Sequence, residues 1–88
     1  MKVSREIAIR VFQTVEKKLA SLEDFSEEKI KEALISVVEE LGLKNGQVFW
    51  PVRAGLTGEE RSPGVFEVIW ALGKEETMKR LQKLSTSF

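Results

Sequence analysis

The segment from Asp24 to Leu43 constrains the fold most, because its residues follow the order expected of one complete amphipathic helix. Ser26 is suited to accept hydrogen bonds from free amides at a helix start, and the acidic pair Glu27–Glu28 suits the positive end of the helix dipole. Apolar residues then recur at helical spacing: Ile30, Ala33, Leu34, Val37, Val38 and Leu41. Gly42 can take the left-handed conformation that ends a helix. The pattern predicts a helix that begins after Ser26, ends at Gly42 and buries one face.

Three further helices are predicted from similar patterns. The first covers about residues Ser4 to Leu22. Ser62 and Pro63 indicate the start of a short helix that ends at Gly73, since serine caps helix starts and proline fits the first helical position. A last helix runs from Lys74 to Leu84. The residues expected to face inward are Ile7, Val11, Val15 and Leu19 in the first helix, Val65, Phe66, Ile69, Trp70 and Leu72 in the short helix, and Met78, Leu81 and Leu84 in the last.

The segment from Gln47 to Val52 is open to two interpretations. Its sequence QVFWPV is typical of a short strand after an Asn45–Gly46 turn, and GVFEVIW could be its partner in a hairpin. Pro51 disfavours a central strand, because it has no amide hydrogen, and it also disfavours the middle of a long helix. A short helix with Pro51 in its first turn or at a kink satisfies both limits, and the hairpin stays open as the alternative.

Length and composition predict one domain, residues 1–88, with a single core. The chain contains neither cysteine nor histidine, which excludes a disulfide framework, a thiolate nucleophile, an imidazole base and a Cys/His metal site. Apolar runs are short, and charges occur throughout the N-terminal residues. We therefore expect a cytoplasmic protein that neither spans a membrane nor carries a secretory signal, has no metal site, and is not an enzyme by itself.

The charge distribution is weak evidence for or against nucleic-acid binding. The formal net charge is zero, whereas a nucleic-acid-binding surface is usually basic. Residues 1–42 contain seven Lys/Arg and nine Asp/Glu, and residues 43–88 contain seven and five. The second half therefore has a small basic excess, which random scatter explains equally well.

The stretch from Pro51 to Gly73, PVRAGLTGEERSPGVFEVIWALG, carries two motifs that resemble those of a known family. PVRAGLTG and SPGVFE are similar to the P-L-R-x-A-L-T-G and [ST]-P-G-x-F-E motifs of bacterial-type glutamyl-tRNA synthetases, which belong to class I. The likeness continues upstream through EELGLKNGQVFW and downstream through LGKEETMKRLQKL, over about residues 20 to 88. The resemblance implies an all-α fold, a compact bundle of about five helices as in the anticodon-binding domain of class I synthetases. It also favours helix over hairpin for Gln47 to Val52.

The resemblance also implies which residues contact an anticodon. Arg53 matches the arginine of the first motif, and its guanidinium offers a planar fork of donors to base edges and phosphates. The second motif carries over the surface against which the first two anticodon bases lie, namely Ser62, Pro63, Gly64, Val65 and Phe66. From the residues alone, Arg53 is equally an ordinary surface arginine, the Ser-Pro-Gly run a simple helix cap, and Phe66 a core residue. Arg61 is outside the motif, and its place before Ser62 suggests a phosphate contact.

The two tryptophans, Trp50 and Trp70, have two interpretations as well. Either ring could stack on an RNA base. Each lies in an apolar stretch, however, and a small domain needs large side chains to fill its core. We therefore expect both tryptophans in the core.

The function implied by the resemblance is recognition of tRNA through its anticodon loop. The expected partners are glutamate tRNA and the other synthetase domains, and the sequence leaves open whether the parent enzyme also accepts glutamine tRNA. The parent would be a monomeric ligase that attaches glutamate to tRNA with ATP and Mg²⁺, of which this chain is a C-terminal portion that needs no cofactor of its own. A small helical protein-interaction module without an RNA role is the alternative, and it explains the composition but not the order of the motifs.

Overall fold

The computed structural model of the protein describes residues 4–58 and 64–87. These ranges form five helices: α1 (Arg5–Ala20), α2 (Glu27–Leu41), α3 (Asn45–Thr57), α4 (Val65–Leu72) and α5 (Lys74–Ser87). No strand occurs among the described residues. The prediction of an all-α fold with about five helices is confirmed, and the hairpin alternative for residues 47–52 is wrong.

The first two helices begin at serine caps, of which the sequence predicted the one at Ser26. The Oγ atom of Ser4 accepts a hydrogen bond from the amide of Ile7 at 3.2 Å, and the Oγ atom of Ser26 accepts one from the amide of Lys29 at 3.3 Å. Helix α2 ends at Gly42, whose φ of +65° lies in the left-handed region. Both ends of α2 are set by local chemistry, which is why the sequence predicted them.

Helix α3 begins earlier than predicted. The side-chain Oε1 of Gln47 accepts a hydrogen bond from the backbone amide of Lys44 at 2.8 Å, which caps the helix ahead of Asn45. Pro51 consequently lies buried near the middle of the helix, so of its two expected places the first turn is wrong and a kink stays a prediction. Inside a helix, proline removes one backbone donor and its ring crowds the carbonyl four residues earlier, which costs about 3 kcal/mol; burial of the ring offsets part of that cost.

The fourth helix starts two residues later than predicted. It begins at Val65, and Gly64 occupies the N-cap position where we expected Ser62 to lie. Ser62 and Pro63 are outside the described residues, so their capping role stays a prediction. The helix ends at Gly73, as predicted, with a φ of +84°.

The core draws on all five helices. Its buried apolar residues are Ala8, Val11, Phe12, Val15 and Leu19 of α1, Ile30, Ala33, Leu34 and Val37 of α2, Val48, Val52 and Leu56 of α3, Val65, Val68 and Ile69 of α4, and Leu81 of α5. Met78 and Leu84, which we expected inward, pack against this core while partly exposed. None of the helices in the described ranges is long and apolar enough to cross a membrane.

Both tryptophans lie at the surface, so their predicted place in the core is wrong. Trp50 is 40% exposed and Trp70 is 56% exposed. In α4 the buried residues Val65, Val68 and Ile69 share one face, whereas Trp70 follows Val65 by five positions and projects about 140° away around the helix axis. The prediction failed because it counted Trp70 among the inward-facing residues of the helix, although its position around the axis lies outside the face that Val65, Val68 and Ile69 occupy.

Candidate functional site

Helix α3 has two faces of different character. Val48, Val52 and Leu56 recur every four residues and are buried in the core. A second set at positions i, i+3, i+4 and i+7 shares another face of the helix and consists of Gly46, Phe49, Trp50 and Arg53. Burial of the first face therefore determines where the aromatic residues and the arginine are presented.

A groove of about 330 Å³ lies between this second face and the start of α4. The residues that line it are Gly46, Phe49, Trp50 and Arg53 from α3, and Gly64, Val65 and Phe66 from the start of α4. Among these described lining residues Arg53 alone is charged, and the side chains of the others are apolar. The groove therefore offers apolar surface beside one cation with several hydrogen-bond donors.

An aromatic pair joins the two helices at this groove. The rings of Phe49 and Phe66 have centroids 5.2 Å apart and an interplanar angle of 75°, which is edge-to-face geometry. Both side chains are half-buried and pack against the core. The sequence left open whether Phe66 packs in the core or contacts the anticodon. In the structure Phe66 packs against the core and also lines the groove.

The described residues leave the backbone at the start of α4 accessible. Gly64 is exposed, and a Cβ atom added to it would meet no atom of residues 4–58 or 66–86 within 4 Å. Packing therefore does not require glycine here, whereas its small size leaves space beside the first turn of α4. The first amides of a helix have no acceptor within the helix and carry partial positive charge, which suits electronegative ligand atoms.

Arg53 is half-buried and lies in the second half of α3. Its backbone carbonyl accepts a hydrogen bond from the Oγ1 atom of Thr57 at 2.8 Å, in the last turn of the helix. The regular helical backbone around Arg53 holds its side chain on the same face as Trp50. Its guanidinium is suited to pair with two acceptors at once, as base edges and phosphates present them.

The structure brings four of the predicted site residues together. Arg53, Gly64, Val65 and Phe66 line one groove, although the first belongs to a different helix from the others. Arg61, Ser62 and Pro63 are outside the described residues, and their contacts stay predictions.

Three lining residues were missed by the sequence-based prediction of the site: Gly46, Phe49 and Trp50. Their signal is the i, i+3, i+4, i+7 spacing with Arg53, which becomes visible once the helix is taken to begin at Asn45. Placing the helix start near Pro51 hid that spacing.

Comparison with known proteins gives the family. The profile of a family described as anticodon binding domain matches residues 1–85. This chain belongs to the anticodon-binding domain family. It is 46% identical over 76 residues to the glutamate–tRNA ligase of Thermodesulfovibrio yellowstonii, covering 86% of this chain and 16% of that ligase. It is also 41% identical over 83 residues to the glutamate–tRNA ligase of Clostridium botulinum, covering 93% of this chain and 17% of the relative.

A solved structure shows the same fold. The glutamate–tRNA ligase from Elizabethkingia meningosepticum, in complex with its amino acid, matches 90% of this chain and 16% of its own with a TM-score of 0.83 and 35% identity. The chain thus spans about a sixth of the length of these relatives. Residues 1–85 correspond to the anticodon-binding domain of glutamate–tRNA ligases and not to a catalytic domain, and the alternative of a protein-interaction module is not favoured.

Proposed function

We propose that residues 1–88 form one domain that recognises the anticodon loop of glutamate tRNA within a glutamate–tRNA ligase. Membership in the anticodon-binding domain family supports binding of tRNA, and the names of the relatives support glutamate tRNA. The structural observation that carries the proposal is the groove in which Arg53 of α3 meets Gly64, Val65 and Phe66 of α4.

The groove suits unstacked bases of an RNA loop. Such bases expose flat apolar faces and polar Watson–Crick edges, and sequence-specific RNA recognition is directed at both. In our proposal the apolar walls receive a base face, while Arg53 donates hydrogen bonds to acceptors on a base edge. We further propose that Ser62 and Pro63 contact the anticodon bases and that Arg61 contacts a loop phosphate; all three are outside the described residues. With a net charge of zero, the domain relies on these local contacts rather than on a broad positive field.

We also propose which enzyme contains this domain and how that enzyme works. The full ligase would use ATP and Mg²⁺ in its catalytic domain and act as a monomer in the cytoplasm. Recognition of the loop would need no cofactor in this domain. Binding energy gained at the anticodon, far from the reacting atoms, would orient the acceptor end for catalysis.

An NMR titration of the 88-residue chain tests this function. The probe is the anticodon stem-loop of glutamate tRNA, compared with a stem-loop of scrambled loop sequence at low and moderate salt. We expect the largest chemical-shift changes at Arg53, Gly64, Val65 and Phe66, and larger changes with the cognate loop. Arg53→Ala should weaken cognate binding by about 5- to 150-fold, the range for losing one two-pronged contact to a base. Arg10→Ala, which removes an exposed arginine of α1 that does not line the groove, should leave binding unchanged.

Two results would contradict the proposal. Shift changes that map away from the groove, or that are equal for the two loops, would show that the groove does not read the anticodon. Loss of helical circular dichroism in Arg53→Ala would show that Arg53 stabilises the fold, because a residue that acts in binding should leave the helices intact.

A further inference from the structure

We infer that Trp50 is a stacking platform for one unstacked base of the RNA loop, a role that rests on the function proposed above. Trp50 is 40% exposed and is one of the residues that line the groove shared by α3 and the start of α4. A domain of this size gains most when its largest side chains are buried. An exposed indole in a groove is therefore better explained by a ligand than by packing.

The second tryptophan shows that exposure alone does not make a platform. Trp70 is 56% exposed, more than Trp50, but it is not among the residues that line the groove. What distinguishes Trp50 is its surroundings, which combine apolar walls with the single cation among the described lining residues.

The position of Trp50 on α3 leaves room for a base. Side chains of a helix lean toward its N-terminus, so the indole of Trp50 lies over the preceding turn, which contains Gly46. Gly46 lines the groove and has no side chain with which to cover the indole. A base can therefore approach the aromatic surface from the open side of the groove.

Arg53 is placed to act on the same base. It follows Trp50 by three positions on the same face of α3, and Cβ atoms at this spacing are about 5–6 Å apart. A base that stacks on the indole would have its edge beside the guanidinium. Stacking would hold the base in place without regard to its identity, and Arg53 would test its edge. A nucleobase is the occupant that needs both features, since it has a flat aromatic face and a polar edge.

The two roles predict different effects on binding. The test uses dissociation constants measured with a fluorescently labelled stem-loop of glutamate tRNA and with loops in which one anticodon base at a time is missing. Trp50→Leu should weaken binding of the complete loop by about 5- to 150-fold, the range for losing one base–aromatic contact, and Trp50→Phe should weaken it less. Trp70→Leu is the matched control and should bind like the unsubstituted chain. For one of the abasic loops, Trp50→Leu should cause no further loss, which would identify the stacked base.

A fluorescence titration gives a second measurement that does not alter Trp50. In the Trp70→Phe chain, Trp50 is the one remaining tryptophan. We expect its emission to be quenched when the complete loop is added, and to change much less with the loop that lacks the stacked base. Emission that is unchanged at saturating RNA would overturn the inference, even if Trp50→Leu failed to fold.

The outcomes separate this inference from the function on which it rests. If Trp50→Leu binds normally while Arg53→Ala weakens binding, the stacking role is wrong and the recognition of the loop stands. If Trp50→Leu weakens binding of every abasic loop as much as of the complete loop, the indole supports the groove without stacking on a base. If neither variant changes binding, or if the unsubstituted chain binds no loop, both proposals are wrong.

Discussion

The Phe49–Phe66 pair provides a quantitative test of how α3 is held against α4. The perturbation is Phe49→Leu and Phe66→Leu, made singly and together, because leucine keeps most of the apolar volume and removes the ring. Edge-to-face pairs with the observed 5.2 Å separation contribute about 0.5–1.5 kcal/mol beyond the area they bury. Each ring is half-buried and also packs on the core, so each single substitution should cost about 1–2 kcal/mol in all.

The expected losses in the free energy of unfolding are large enough to be measured and small enough to leave the domain folded. A domain of 88 residues has a free energy of unfolding of about 4–13 kcal/mol at typical values per residue. The double variant should therefore remain folded, with a melting temperature lowered by about 4–8 °C for each kcal/mol lost. Because either single substitution already removes the ring contact, the double variant should lose about 0.5–1.5 kcal/mol less than the two single losses combined.

The assay is urea unfolding, monitored by circular dichroism, of four chains: the unsubstituted chain, the two single variants and the double variant. Phe66→Tyr is the control, since it keeps the ring and should retain the coupling to Phe49. Additivity within about 0.5 kcal/mol for the leucine substitutions would refute the reasoning, because independent sites behave in that way. In that case the contact between the rings would not contribute to the position of α4, and the groove would depend on other contacts.

Two further substitutions test the packing around the groove helices. Gly55→Val should lower the free energy of unfolding by about 1–3 kcal/mol. A Cβ atom at Gly55 would come within 2.8 Å of a methyl group of Leu84, which is partly exposed and can shift, and within 3.5 Å of the buried ring of Phe12, which leaves little room for the methyl groups of valine. Urea unfolding measures the loss, adding Leu84→Ala should recover part of it, and unchanged stability would contradict tight packing around Gly55. Thr77→Val should change stability by less than about 1 kcal/mol, because the buried hydroxyl donates only a long hydrogen bond of 3.4 Å to the carbonyl of Ile69, and that carbonyl keeps the amide of Gly73 as a donor. A loss above about 1.5 kcal/mol in the same assay would show that the hydroxyl matters more than its geometry indicates.

The helices were predictable where their ends depend on nearby residues. Ser26 caps α2, and Gly42 and Gly73 end α2 and α4, as the sequence indicates. A cap forms within one turn, so its residues lie close together in the sequence. The start of α3 was missed because Gln47 caps the helix through its side chain, a role for which glutamine at the third position is a weaker signal than serine at the cap.

The candidate site was predictable in part, through the motif that contains Arg53 and the residues that follow Ser62. The place of Trp50 was not predictable from its apolar neighbours, because it depends on how α3 is rotated against the core. Each position along a helix turns the side chain by about 100°, so a residue beside two buried valines can still face solvent. The burial of Val48 and Val52 determines that rotation, and packing against the other helices determines which residues are buried.

By itself, the sequence determined four of the five helices, both ends of α2 and the C-terminal end of α4, and which family its motifs resemble. Each of these depends on residues within a turn or two of one another, or on an order of residues along the chain. Only the tertiary structure decided that Arg53 of α3 and Gly64, Val65 and Phe66 of α4 line one groove, and that Trp50 joins them. The physical reason is that a groove between two helices exists only after both have buried their apolar faces in a common core. Which faces are buried depends on how all five helices pack together.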